Sequence, residues 1–314
     1  MPRIRIGANC WNQYTDWASL LEAGRRADRL GYDSLWTWDH VYPIVGSDDG
    51  PMFEGWTTLT AWAMATEKVT LGLMVGANTF REPTLTAKMA TCLDHISNGR
   101  AVLGIGGAWF RTEHEAFGFD YGDGPPERLR WLGQALPVMR GMLHGTRPSS
   151  KPGDRYHARA VRNDPPPIQS PLPILVGGGG EKVTLKLAAK YADMHDVGGD
   201  VETVRRKDRI LRQHCEAVGR DFDEIERTSG IGRLFIRDSA AEAKRVAERT
   251  FASNGGARYD ALVGSPEEIA EHLAPLVELG RRHLIANFPS PYDEESMTRF
   301  ATEVRPRLEA AVPA

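Results

Sequence analysis

A chain of 314 residues, 41% hydrophobic and 26% charged, is too apolar to be disordered as a whole and long enough for one large α/β barrel without a second domain. Its 39 basic and 42 acidic side chains leave a formal charge of −3, so no excess field points to nucleic acid or an acidic membrane, and a small, nearly neutral partner is favoured. Three widely spaced cysteines, Cys10, Cys92 and Cys215, suit free thiols in a reducing cytoplasm, and no apolar run reaches the roughly 18 residues of a membrane span.

Short apolar runs alternate with helical patterns, which predicts βα units and a parallel sheet. The first strand is Ile4 to Ala8, followed by a helix from Trp17 to Leu30 that Gly31 stops. The second strand is Ser34 to Thr37, with a helix from Trp56 to Thr66. Strand three is Thr70 to Val75, and its helix, Thr84 to Ile96, starts after Pro83 and ends in Ser97-Asn98-Gly99. Strand four is Ala101 to Ile105. An irregular stretch from Gly106 to about Pro126 precedes a helix through Leu143, and a polar, proline-rich passage runs from Gly145 to Pro173. Long loops of this kind usually carry function. Ile174 to Val176 is strand five with a helix from Glu181 to Tyr191, and Met194 to Val197 is strand six with a charged helix from Glu202 to Val218. Arg227 to Ile236 and Leu284 to Phe288 are the last strands, with helices at Ala240 to Ser253, Pro266 to Leu279 and Ser296 to Ala311. A doubly wound sheet alternates in the same way, but eight strands favour a single closed (β/α)8 TIM barrel over residues 1–314, with its chemistry at the C-terminal strand ends.

Strand two runs into Trp38-Asp39-His40. A histidine there can exchange a proton near neutral pH or simply bond a loop backbone, and the tryptophans nearby can wall a ligand or pack the core. Arg81 after strand three can hold an anion, but pairing with a carboxylate is the favoured role. Gly104-Ile105-Gly106-Gly107 lacks the final glycine of a dinucleotide fingerprint. Gly177-Gly178-Gly179-Gly180 after strand five is the strongest physical signal, because four glycines expose backbone N–H groups at a helix start, where a phosphate fits. Glu113 and His114 read as a helix-start and loop-ordering pair. No metal site is expected: neighbouring residues on a helix do not converge on one ion, and neither zinc spacing nor a serine-hydrolase elbow is present.

Taken together, Gly31-Tyr32-Asp33-Ser34-Leu35-Trp36 with Asp39-His40, Arg81-Glu82-Pro83, Leu93 to Arg100 running into Gly104-Ile105-Gly106, Glu113 to Gly118, and Gly264-Ser265-Pro266-Glu267-Glu268 resemble the bacterial luciferase-like flavin and deazaflavin oxidoreductases over nearly the whole chain. The resemblance implies a barrel that holds a flavin-like ring at its C-terminal mouth. The Asp39-His40 and Asn78 to Arg81 runs look most like members that use coenzyme F420, with FMN the alternative. It implies that His40 faces the ring and serves proton transfer or holds the ring, and that Asp39 contacts the cofactor. It further implies a non-proline cis peptide at Met74-Val75 behind the ring, contacts from Ala77, Gly107 and Ala108, and a phosphate on Gly177 to Gly180. Trp109 stands where the family's sugar-phosphate dehydrogenases place an acidic catalytic residue, which argues against glucose 6-phosphate. Trp11, Trp38, Trp109 and Phe110 then form an apolar substrate pocket, or pack. The expected activity is hydride exchange between F420 and an organic substrate. The alternatives are an FMN-dependent monooxygenase using oxygen and a non-catalytic cofactor-binding protein. Members of the family are often dimers, and Leu59, Trp62, Met64 and Met89 would suit a homodimer face or the core.

Overall fold

The structure, a computed structural model, describes residues 3–256 and 260–311. Its strands are β1 (Arg5–Cys10), β2 (Ser34–Thr37), β3 (Thr70–Leu73), β4 (Gly76–Ala77), β5 (Ala101–Gly106), β6 (Ile174–Gly177), β7 (Met194–Asp196), β8 (Glu226–Ile236), β9 (Ala261–Gly264) and β10 (His283–Phe288). The order β1-β2-β3-β5-β6-β7-β8-β10 closes because β10 pairs in parallel with both β1 and β8. The predicted (β/α)8 barrel is therefore the architecture. Around it lie α1 (Trp17–Arg29), α2 (Gly55–Ala65), α3 (Pro83–Ile96), α4 (Arg111–Phe117), α5 (Pro125–Leu143), α6 (Thr184–Tyr191), α7 (Val201–Val218), α8 (Ala240–Ser253), α9 (Pro266–Glu278), α10 (Glu294–Arg299) and α11 (Arg305–Ala311), the last two joined by a π-helical turn at Phe300–Val304.

Local signals account for the helix ends. Asp16 caps α1 through Ser19 N, Glu54 caps α2, Asp200 caps α7, and Ser265 with Glu268 forms a capping box on α9. The apolar stripes of most helices meet the outer face of the sheet in one continuous core, whereas α8 packs Ala243, Ala247 and Phe251 with Phe235 of β8 in a separate cluster. The barrel interior is separate: Trp36, Val102, Leu175, Met194 and Ile285 fill it, with Met74 and Val75 packed on top. Trp36 is fully buried there, so it fills the core and walls no ligand. Its indole takes space that glycines leave open, since a Cβ on Gly72 would lie 2.5 Å from the ring and one on Gly7 would lie 3.2 Å from its Nε1. Below it, Trp36 Nε1 donates to Ser34 Oγ (2.7 Å), Ser34 Oγ shares a hydrogen bond with His283 Nε2 (2.7 Å), and His283 Nδ1 meets Glu226 (2.7 Å). Ser34, His283 and Glu226 at the N-terminal end of the barrel are thus paired, as buried polar groups in a stability element require.

Four segments differ from the sequence reading. Strand three is broken, because Met74-Val75 is a cis peptide and pairing resumes only at β4. The irregular stretch after β5 contains α4, which Gly118 ends at φ 71°. The segment before the last strand contains β9, which pairs outside the barrel with Arg233 to Ile236. This explains the eleven-residue length of β8, whose first half closes the barrel while its second half leaves it. Finally, α6 begins at Thr184, so the four glycines lead into a turn and not directly into a helix.

Gly104 is the tightest point of the sheet: a Cβ there would lie 1.8 Å from the carbonyl oxygen of Leu73. Backbone cannot move aside as a flexible side chain can. Gly104→Ala should therefore lower unfolding free energy by about 3 kcal/mol or more, read as a fall in the urea midpoint.

Candidate active site

A cavity of about 530 Å³ opens at the C-terminal mouth of the barrel. One half is backbone-rich: Met74 to Ala77, Gly106 to Ala108, and Gly177 to Gly180 with Thr184. The other half carries side chains from Trp38, His40, Ile44, Val45, Trp109, Pro125, Leu129 and Arg233. The floor is shaped by Val75, whose methyls occupy the space where a Cβ on Gly106 or Gly177 would stand, at 2.7 and 2.6 Å. Glycine at both positions lets the bulge sit low, so the floor is flat and apolar.

Asp39 anchors this floor from the side. It is 2% exposed, accepts a hydrogen bond from Ala77 N (2.8 Å), and takes both Nη atoms of Arg81 (2.8 and 3.0 Å). Burial pushes its carboxyl above the ordinary value, against the pull of Arg81. Arg81 also reaches Glu54, the cap of α2 (2.8 Å), so its role is the expected pairing with carboxylates. The aspartate beside His40 is therefore bound to the floor and does not touch the imidazole in this network.

The partner of His40 is Glu113. This residue of α4 is 1% exposed, with Oε1 2.7 Å from His40 Nδ1 and Oε2 accepting from Val41 N (2.9 Å). A carboxylate accepts, so Nδ1 carries the proton, and Nε2 is the nitrogen left to exchange one. The rings of Trp109 (5.7 Å) and Phe110 (6.2 Å) approach the imidazole edge-on. Reading Glu113 as a loop-ordering residue missed this contact, which joins positions 73 apart in sequence and follows no spacing rule. Glu113 does order the loop as well, through Val41. His114 takes the purely structural part: it is buried between Thr79 Oγ1 (2.7 Å) and Phe110 O (2.6 Å), and burial holds its pKa below the ordinary value.

The four aromatic candidates do not share one position. Trp38 and Trp109 line the cavity, Trp109 remaining 57% exposed. Trp11 is only 1% exposed and packs behind Trp38 at a centroid distance of 4.7 Å, because it follows β1 directly and its N–H is tied to Phe288 O. Phe110 sits behind Trp109 at 5.4 Å, at the start of α4. Ala108 has φ 60°, a conformation uncommon outside glycine, and its carbonyl is held by the buried Arg128 (3.2 Å). That turn directs Trp109 across the mouth. Ile44, Val45, Leu129 and Arg233 complete the wall, and none carried a local signal: Arg233 lay inside an ordinary strand pattern.

At the far end, no acceptor among the described residues takes the N–H of Gly178, Gly179 or Gly180. Lys207 of α7 supports the loop from below, donating to Gly179 O (2.5 Å) and Glu181 (2.9 Å). These three backbone donors lie together beside Lys207, whose charge Glu181 meets, with Gly178 at φ 109° supplying the turn, an arrangement able to hold an anion. Among the described residues no group of acidic, histidine and cysteine side chains is arranged to hold a metal ion.

The sequence profile of the luciferase-like monooxygenases matches residues 5–261. The chain belongs to that family. Within it, the chain is 25% identical over 337 residues to an F420-dependent glucose-6-phosphate dehydrogenase of Amycolatopsis mediterranei, covering 98% of this chain and 99% of that one. Among solved structures of this fold, an F420-dependent secondary alcohol dehydrogenase in complex with an F420-acetone adduct superposes with TM-score 0.83 at 20% identity, covering 98% and 99% of the two chains. A long-chain alkane monooxygenase superposes with TM-score 0.80 at 18% identity, covering 99% and 92%.

Removing the counterion of Asp39 strands a buried carboxyl group beside the floor of this luciferase-like barrel. Arg81→Leu should cost about 3 to 5 kcal/mol in chemical denaturation, whereas Arg81→Lys should recover part of the loss.

Proposed function

We propose that the protein is a coenzyme F420-dependent oxidoreductase that exchanges a hydride with an organic substrate while His40 handles the accompanying proton. The observation that carries this reading is the His40–Glu113 pair, placed at one end of a cavity whose other end is the glycine cradle. The residues present fit the cofactor. Val75 and Gly76 give an apolar floor for a planar ring, the backbone of Gly106 to Ala108 borders it without bulky side chains, and Gly178 to Gly180 offer donors for a phosphate. Relatives named for F420 that align with nearly the whole chain support F420 over FMN. When bound, the deazaflavin accepts or returns a hydride.

The rest of the chemistry belongs to this chain. With Nδ1 held by Glu113, His40 Nε2 takes a proton from a substrate hydroxyl in the oxidising direction and returns it in the reducing direction. Glu113 fixes the tautomer and ring orientation and compensates the charge that the imidazole acquires. Trp38, Trp109, Ile44 and Val45 exclude water from the reacting centre. A sugar phosphate finds few hydroxyl partners on such a wall, so a glucose 6-phosphate activity is not proposed.

The setting is a cytoplasmic homodimer on this reading. Cys10 and Cys215 are buried free thiols, which suits a reducing compartment. Among the described residues, no helix is long and apolar enough to cross a membrane. Leu59 and Trp62 belong to the core, but Met64 is 76% exposed, and Leu85, Met89, Cys92 and Ile96 line a groove between α2 and α3. A second copy covering that face would bury it. In sedimentation velocity we expect a dimer, and Leu85→Glu should yield monomer; a wild-type monomer contradicts the assignment.

Cofactor titrations followed by protein fluorescence decide the central choice. F420 should bind well and FMN weakly; tight FMN binding without F420 binding would turn the reading to the monooxygenase alternative. In a screen of alcohols with F420, His40→Ala should lower kcat by about 10²- to 10⁴-fold with F420 affinity retained, and Glu113→Gln should fall between it and wild type. Unchanged turnover in His40→Ala would remove the assigned role.

A further inference from the structure

Resting on the cofactor reading above, we infer that the substrate is an aryl carbinol or aryl ketone whose ring stacks on Trp109. A tryptophan that only completes a core is buried, as Trp36 is, whereas Trp109 lines the cavity and stays 57% exposed. Exposed apolar surface at the rim of a cavity marks a place where something binds. Phe110, which is not part of the cavity lining, packs on the indole at 5.4 Å with the ring planes 38° apart. The indole is thus supported from behind while its exposed part borders the cavity.

The backbone that carries this ring is held more firmly than a surface loop requires. Ala108, at φ 60°, adopts a conformation that costs free energy in a residue other than glycine and persists only where the surroundings impose it. Arg128, 3% exposed, imposes it by donating to the carbonyls of Ala108 and Tyr121, both at 3.2 Å, with its guanidinium 3.9 Å from the Tyr121 ring centroid. The Tyr121 hydroxyl in turn donates to Trp109 O (2.7 Å). The carbonyls on either side of the Trp109 Cα are therefore tied down, and an indole mounted in this way loses little freedom when a ligand is laid on it.

The neighbours of Trp109 select the ligand. Its ring lies 5.7 Å from that of His40, and Trp38, backed by Trp11 at 4.7 Å, adds a second aromatic surface to the same wall. Aromatic pairs favour centroid separations of about 4.5 to 7 Å. The imidazole is itself within that range of the indole, so a ring stacked on Trp109 brings the carbon bonded to it beside His40. As the carbinol becomes a ketone, its C–H hydride passes to F420, its O–H proton passes to His40 Nε2, and the carbon–oxygen bond becomes double. The ketone takes both back in the reverse direction.

The test uses protein loaded with oxidised F420 and ketone probes, a pairing with no hydride to exchange, so calorimetry reads binding alone. Acetophenone and 2-acetylnaphthalene are compared with cyclohexyl methyl ketone and 2-acetyldecalin. F420 affinity is measured first without probe; its absence defeats the cofactor reading, and the same comparison on cofactor-free protein then still decides the aromatic site. The saturated rings are the more hydrophobic, so a wall that reads apolar area alone favours them. We expect the opposite: at least one aryl ketone should bind about threefold to tenfold more tightly than its saturated counterpart. Trp109→Leu should erase that preference and Trp109→Phe should keep part of it. F420 affinity should stay within about threefold in both variants, which also reports that they are folded. Saturated ketones that bind as tightly as the aryl ketones, no binding by either aryl ketone, or an undiminished preference in Trp109→Leu overturns the proposal. So does loss of F420 affinity in Trp109→Leu with Trp109→Phe restoring it, which assigns the indole to the cofactor.

Discussion

The seating of Val75 between Gly106 and Gly177 is the contact on which the mouth of this barrel depends. Two strands have surrendered their side chains at one level so that a third can bulge across them. The same bulge presses the Leu73 carbonyl over Gly104, splits strand three, and leaves Ala77 N to be gripped by Asp39. Asp39 then requires Arg81, and Arg81 reaches the cap of α2. A single packing choice therefore connects the cavity floor to an outer helix. Filling either glycine would displace Val75 and with it the surface on which a planar ring would rest.

On that floor, charge is handled locally. Glu113 is buried with its two oxygens committed to His40 and Val41, so it acts on the imidazole at close range and contributes little at a distance. The glycine cradle offers dipoles in place of basic side chains, with one lysine behind it. A formal charge of −3 is thus compatible with an anionic ligand, because recognition rests on fixed N–H groups and not on a basic surface. The cavity divides along the same lines: backbone donors at one end, an imidazole on a largely apolar wall at the other.

Much of the fold was legible because periodicity reports burial. Ser34 to Thr37 and Ala240 to Ser253 match the structure at both ends, and most other elements agree to within a few residues. The failures have physical causes. Leu262 and Val263 are too short a run to announce β9, which exists only because β8 extends beyond the barrel. Helix α4 has no side-chain cap to mark its start, and tertiary contacts from Arg128 and Glu113 hold it in place. At the site, strand-end position pointed to Asp39, His40 and the glycines, while resemblance supplied Ala77 and the bulge. Glu113 was not legible, since it acquires its role from residues distant in sequence. Trp11 shows the reverse error: an aromatic near a strand end that packs behind the wall it was expected to form.

The most direct measurement is a crystal structure of the protein with F420 bound. We expect the deazaflavin ring to lie on Val75, its phosphate to accept from the N–H groups of Gly178 to Gly180, and His40 Nε2 to face the open side of the ring with Nδ1 still on Glu113. A phosphate lodged away from that loop, or a ring placed where His40 has no access to its open face, would contradict the assignment of this cavity.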